Sequence, residues 1–271
     1  SGRFGTGFMT TYLLSKKISL ESVYASNGTV KSFNISLDRD ADTPDQMKEK
    51  VKHSFASFTE LEQSEISENQ IQNYVEGSKC YTKFIYRYDA EGKKTAAIGI
   101  SDFHKSIPFT LAFVEKINSI KVIESGQRTT YTRLEPKHFE NIYIIRIQKE
   151  TETEKTIYEI AKVSERHDAL TIAVPVEHIS DIKYKILIPN EATPRQFISF
   201  PLVGSETFPF PVIINSPLFN PDDTRSHVFL NLVESSILFN KKVNLNRALF
   251  EKSIGLFKQL LSFACLKDWE N

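Results

Sequence analysis

Residues 129–134, 141–148, 156–163 and 169–174 constrain this chain more than any other part of it. Each run alternates apolar and polar side chains, the period-two signature of a strand. A fifth run, 182–188, repeats the pattern less cleanly. The links between runs are short, and the charged segment 150–155 reads as a hairpin tip. A sheet of this size must be covered, and segments with helical period stand on both sides of it. At the C-terminal end, residues 245–266 place Leu249, Ile254, Phe257, Leu260, Leu261 and Ala264 along one helical face.

The preceding half is mixed as well. Residues 17–25 and 30–37 alternate around Asn27-Gly28, a hairpin signal. Thr43-Pro44 then supplies an N-cap and a proline at the first helical position. The helix it opens carries Met47, Val51, Phe55 and Phe58 at helical spacing and ends near residue 62. Residues 64–77 are polar, with a short helix expected at 71–75. Residues 80–89 read as a strand rich in aromatic and β-branched side chains. Glu91-Gly92 reads as a turn, followed by helices at 93–103 and 106–114 and a strand at 117–123. The expected fold class is α+β, with mixed sheets backed by helices and a boundary near residue 125.

Lys+Arg 34 balances Asp+Glu 34 in 271 residues, so charge draws the chain neither to nucleic acid nor to an anionic membrane. No apolar run approaches the ~20 residues that a membrane helix needs. The two cysteines, Cys80 and Cys265, have no metal or redox spacing, and the six histidines have no zinc spacing. A reducing, cytoplasmic setting is expected.

The chemistry-bearing motif is "SGRFGTGFMTTYLLS", with Gly2, Gly5 and Gly7 ahead of a helix expected at 9–15. Glycine lets a ligand approach the backbone, and a helix start leaves free N–H groups at its positive end. The amides of Gly5, Thr6, Gly7 and Phe8 are therefore candidate donors to an anion, a nucleotide phosphate above all. Gly7-Phe8-Met9 fails the P-loop pattern. The order G-x-x-G-x-G is not the dinucleotide fingerprint, and no kinase Asp-Phe-Gly exists.

That order, with Phe8 behind it, resembles the GHKL ATPase superfamily of gyrase-type topoisomerases, large heat-shock chaperones, histidine kinases and MutL, and is most similar to the heat-shock-chaperone and sacsin-like branch. "CYTKFIYRY" resembles the strand that brings a threonine, here Thr82, near the nucleotide. "FPLVGSETFPFPVIINSPLFNPDDTR" resembles a sacsin-like segment through Phe210-Pro211, Asn215, Phe219 and Arg225. The resemblance implies the C-terminal part of a Bergerat-type ATPase sandwich at residues 1–125, and a transducer-like domain with a mixed sheet at 126–271. It implies ATP and Mg²⁺ as ligands of the intact protein, and Arg225 as the basic side chain sent to the terminal phosphate, with Arg195 as a weaker alternative. A homodimer and a client protein are the implied partners.

The helix with the water-activating Glu and the Mg²⁺-holding Asn, and the adenine-reading Asp-x-Gly-x-Gly loop, are expected upstream of Ser1. By itself the chain is expected to be catalytically inactive. A second expectation stands beside this one: a non-catalytic interaction module in which nucleotide binding has degenerated.

Overall fold

A computed structural model of the chain describes residues 11, 14–26, 29–60, 64–65, 82–165, 169–222, 224–231 and 237–270. It is a mixed α+β protein that divides into two compact units, Ser1–Ile100 and Ser101–Asn271. The expected turn at Asn27-Gly28 and the expected helix at 71–75 lie outside the described residues.

In the first unit, β1 (Lys17–Ser26) and β2 (Thr29–Asp38) pair in antiparallel register from Lys17↔Asp38 to Ser26↔Thr29. Strand β3 (Ser64–Glu65) adds to β2, and β4 (Thr82–Tyr86) adds to the other side of β1, giving the order β3-β2-β1-β4. Helix α1 (Pro44–Glu60) begins where Thr43 caps it, its hydroxyl accepting from the Gln46 amide at 3.3 Å. The apolar side chains expected to face inward do not all do so, since Val51 and Phe55 are exposed. The inward stripe is Met47, Lys50, Ser54 and Ser57. The cause is polar: Ser54 is buried and its hydroxyl accepts from the Asp38 amide, while Lys50 reaches the Asp38 carboxylate at 3.4 Å.

Helix α2 (Ala90–Phe113) is one helix where the sequence suggested a turn and two helices. Asp89 is its N-cap, its carboxylate accepting from the Gly92 amide at 2.7 Å. Gly92 therefore sits in the first helical turn. Pro108 lies inside the helix without ending it.

The second unit is built on a nine-stranded sheet. Its strands are β5 (Ser119–Glu124), β6 (Gln127–Phe139), β7 (Ile142–Glu150), β8 (Lys155–Ser164), β9 (Thr171–Ser180), β10 (Lys183–Ile186), β11 (Gln196–Ile198), β12 (Phe200–Pro201) and β13 (Ile213–Asn215). The order is β12-β11-β13-β9-β8-β7-β6-β5, with β10 on β9. Pairing is antiparallel except between β11 and β13, which makes the sheet mixed.

Around β7 both faces of this sheet are covered, so the neighbouring Ile144 and Ile145 are both buried although they point to opposite faces. Ile145 and Ile147 face Ile107, Leu111 and Ala112 of α2. Ile142 and Ile144 face helix α3 (Ile237–Leu266), which contributes Leu249, Leu256, Leu260 and Phe263. Arg133 of β6 caps the end of α2, donating to the carbonyls of Leu111, Val114 and Glu115. Trp269 closes the chain against the sheet, its indole N–H donating to the Ile182 carbonyl at 2.9 Å.

Candidate functional site

Gly2, Gly5, Thr6, Gly7 and Phe8, the expected phosphate-binding residues, lie outside the described residues. Thr11 is the first described residue, and its carbonyl accepts from the amides of Leu14 at 3.0 Å and Ser15 at 3.1 Å, a closing helical turn.

This turn is anchored on its C-terminal side. Ser15 is buried, and its hydroxyl contacts the carbonyls of Lys17 at 2.6 Å and Arg87 at 2.9 Å while the Lys17 amide returns to it. The Leu14 carbonyl lies directly against the first turn of α2. A Cβ on Gly92 would stand 2.4 Å from that oxygen, so only glycine permits this approach. The turn behind the glycine-rich stretch is thus pinned to the corner where β4 enters α2.

Thr82 opens β4 directly opposite Ser22 of β1, and the two hydroxyls are 2.9 Å apart. Thr82 is exposed, and the next pair along the strand is an ion pair, Lys83–Glu21 at 3.1 Å.

Arg225 lies in the second unit, on a loop whose stems meet as the bridge Pro221↔Val228. Its backbone is left-handed, with φ 57°. The loop is wound around the Asp222 carboxylate, which accepts from the amides of Ser226 at 2.8 Å and His227 at 3.2 Å and from the hydroxyls of Thr224 and Ser226. Burial pushes the Asp222 carboxyl up, but these hydrogen bonds outweigh it and leave the group below its ordinary value.

Two further contacts hold the loop. Gly204, at φ 114°, would place a Cβ 2.8 Å from that of Ser226. Asn246 of α3 is fully buried and clamps both stems: its carbonyl accepts from the Asn220 amide at 2.8 Å, and its NH₂ donates to Asn220 and Phe229 carbonyls at 2.9 Å each. Three parts of the chain that are far apart in sequence therefore converge on the Arg225 loop.

The other residues of that segment are structural. The Asn215 side chain accepts from the Ser199 amide at 2.7 Å, holding Ser199 at φ 65°. Phe219 is buried on Phe250, and Phe210 packs on Phe257. Arg195, the weaker basic candidate, is buried and donates to the Pro189 carbonyl at 2.9 Å. Burial lowers its pKa. Its Nη1 is buried without a hydrogen-bond partner among the described residues.

Sequence reading missed Asp89, Gly92, Asp222, Gly204 and Asn246. "NPDDT" carried an Asx-turn signal for Asp222, whereas Gly204 and Asn246 act on residues far away in sequence.

Among the described residues no group of three or more His, Cys, Asp and Glu could hold a metal ion. Nor is any described helix long and apolar enough to cross a membrane. No family model, curated protein or solved structure matches the chain.

Proposed function

We propose that this chain is part of an ATP-binding, ATP-hydrolysing conformational machine of the chaperone-like GHKL type. In this reading the amides of Gly5, Thr6, Gly7 and Phe8 hold the phosphates, with Gly2 freeing the backbone ahead of them. Thr82 contributes a hydroxyl near the nucleotide, and Arg225 offsets charge developing on the terminal phosphoryl group. ATP is the substrate, with Mg²⁺ as its companion ion in the intact protein.

One observation carries the reading. The turn at the end of the glycine-rich stretch is pinned by Ser15 and Gly92 to the sheet that carries Thr82. Amides can hold a phosphate only if their own backbone is held, and this anchor does so at one end. The Arg225 loop has the same character, because the buried Asn246 and the half-buried Asp222 carboxylate fix the backbone of the loop that carries Arg225.

The test is ATP turnover by the whole protein that contains this chain. Arg225→Ala should lower kcat by about 10³-fold, the scale on which an arginine acts on a transferring phosphoryl group, with nucleotide affinity little changed. Arg225→Lys should recover part of the rate by keeping the charge. Unchanged turnover in Arg225→Ala would remove Arg225 from the chemistry.

A further inference from the structure

The second unit contains a cleft of about 640 Å³ that the nucleotide reading does not use. It lies between the second half of α2 and the face of β8 and β9, and the segment after β10 closes one side. That volume is within the range of small-molecule sites, ~300–1,000 Å³.

Its walls are held without a ligand. The His104 ring contacts the Tyr131 hydroxyl at 2.9 Å through Nδ1 and the Glu124 carboxylate at 3.0 Å through Nε2. The segment after β10 is stitched by Leu187 N–H to the Pro175 carbonyl at 2.9 Å, Ala192 N–H to the Asn190 side chain at 2.9 Å, and Thr193 N–H to the Asn190 carbonyl at 2.9 Å. The floor is apolar, with Ile160 and Pro175 paired across β8 and β9. At the rim Ile188 is 90% exposed, an apolar side chain that a bound molecule would cover.

The charged group left over on the β9 side is a carboxylate. Glu177 forms no ion pair among the described residues, although Lys185 stands opposite it. His178 turns to the other face of β9, where its ring packs on Tyr184. Pro108 has no N–H, so the His104 carbonyl lacks its i+4 donor beside the cleft. The other charges are spoken for: Lys105 pairs with Asp102 at 2.9 Å, and Glu159 with Arg146 at 3.4 Å.

An apolar floor beside a carboxylate without an ion pair and a carbonyl without its donor selects a cation with an apolar body. We infer that this cleft binds a small hydrophobic amine, its ammonium toward Glu177 and its apolar body over Ile160 and Pro175.

The test is calorimetric titration of the whole chain with tryptamine and, separately, with indole-3-propionate, which keeps the ring and reverses the charge. Tryptamine should bind saturably at one site, with the acid about tenfold weaker. Glu177→Gln should weaken tryptamine about fivefold, the scale of an exposed ion pair, without moving the unfolding midpoint. Ile188→Ser should weaken both ligands, and ATP should not compete. Absent tryptamine binding, equal affinity for the two ligands, or an unaltered Glu177→Gln variant would each overturn the assignment. None of these outcomes bears on phosphate binding by the glycine-rich stretch.

Discussion

Gly92 and Gly99 occupy the same helix about two turns apart, and the same substitution should act on them in opposite directions. Nothing lies within 4 Å of a Cβ built on Gly99, and the residue is exposed. Gly99→Ala therefore expresses helix propensity alone and should stabilise by about 0.5–1 kcal/mol. At Gly92 the added carbon meets the Leu14 carbonyl oxygen at 2.4 Å, and ordinary contact begins at 3.4 Å. Either Leu14 or the start of α2 must move by about 1 Å, and neither is a flexible side-chain end. Overpacking of this kind costs about 1–3 kcal/mol, which exceeds the propensity gain. Gly92→Ala should therefore destabilise by about 1–2 kcal/mol, placing the two variants about 1.5–3 kcal/mol apart. Urea unfolding followed by circular dichroism measures the difference. Hydrogen exchange should show faster exchange at Ser15 to Ile18 in Gly92→Ala only. If Gly92→Ala is as stable as Gly99→Ala, the turn is not pinned where the structure places it, and the anchoring of the glycine-rich stretch fails with it.

Other perturbations test the rest of the account. Asn246→Ala removes three hydrogen bonds to the stems of the loop, two of them buried, and should cost about 2–4 kcal/mol, with exchange rising at residues 220–229. Asp222 is held below its ordinary carboxyl value of 3.8, so its contribution is complete at neutral pH. That contribution should fade as pH drops from 3.8 through the lowered folded value, and Asp222→Asn should lose the acid dependence, read from unfolding midpoints against pH. Tyr131 is buried and its hydroxyl is pushed up to about 12 by that burial. The stabilisation it gives is complete below pH 10 and lost as pH rises toward 12. Absorbance titration should show one tyrosine ionising only with unfolding, and Tyr131→Phe should remove that phase.

The strands were legible because their period is local. The β1–β2 hairpin and β6 to β9 follow from alternation, although β6 and β9 extend beyond the alternating residues, to Phe139 and Ser180. Helix α3 starts at Ile237, two turns earlier than its apolar stripe suggests, because its opening turns carry Asn240, Lys241 and Lys242. The single helix α2 was hidden by Gly92 and Pro108, two residues that usually end helices. Asp89 and the neighbouring Leu14 carbonyl make Gly92 the fitting residue at that position. The face of α1 was misjudged because polar bonds to Asp38, rather than apolar spacing, set its rotation. Around Arg225 the sequence offered a loop and a charge. The contacts that shape that loop, Gly204 against Ser226 and Asn246 on both stems, join residues 17 to 26 positions apart, beyond the reach of any local pattern.

The central claim is that backbone amides of the glycine-rich stretch hold a nucleotide phosphate. Calorimetry with ADP and a non-hydrolysable ATP analogue, on the whole protein and on its Gly5→Val, Gly7→Val variant, tests it most directly. Nucleotide should bind the whole protein and fail to bind the variant. Equal affinity in the two proteins would contradict it.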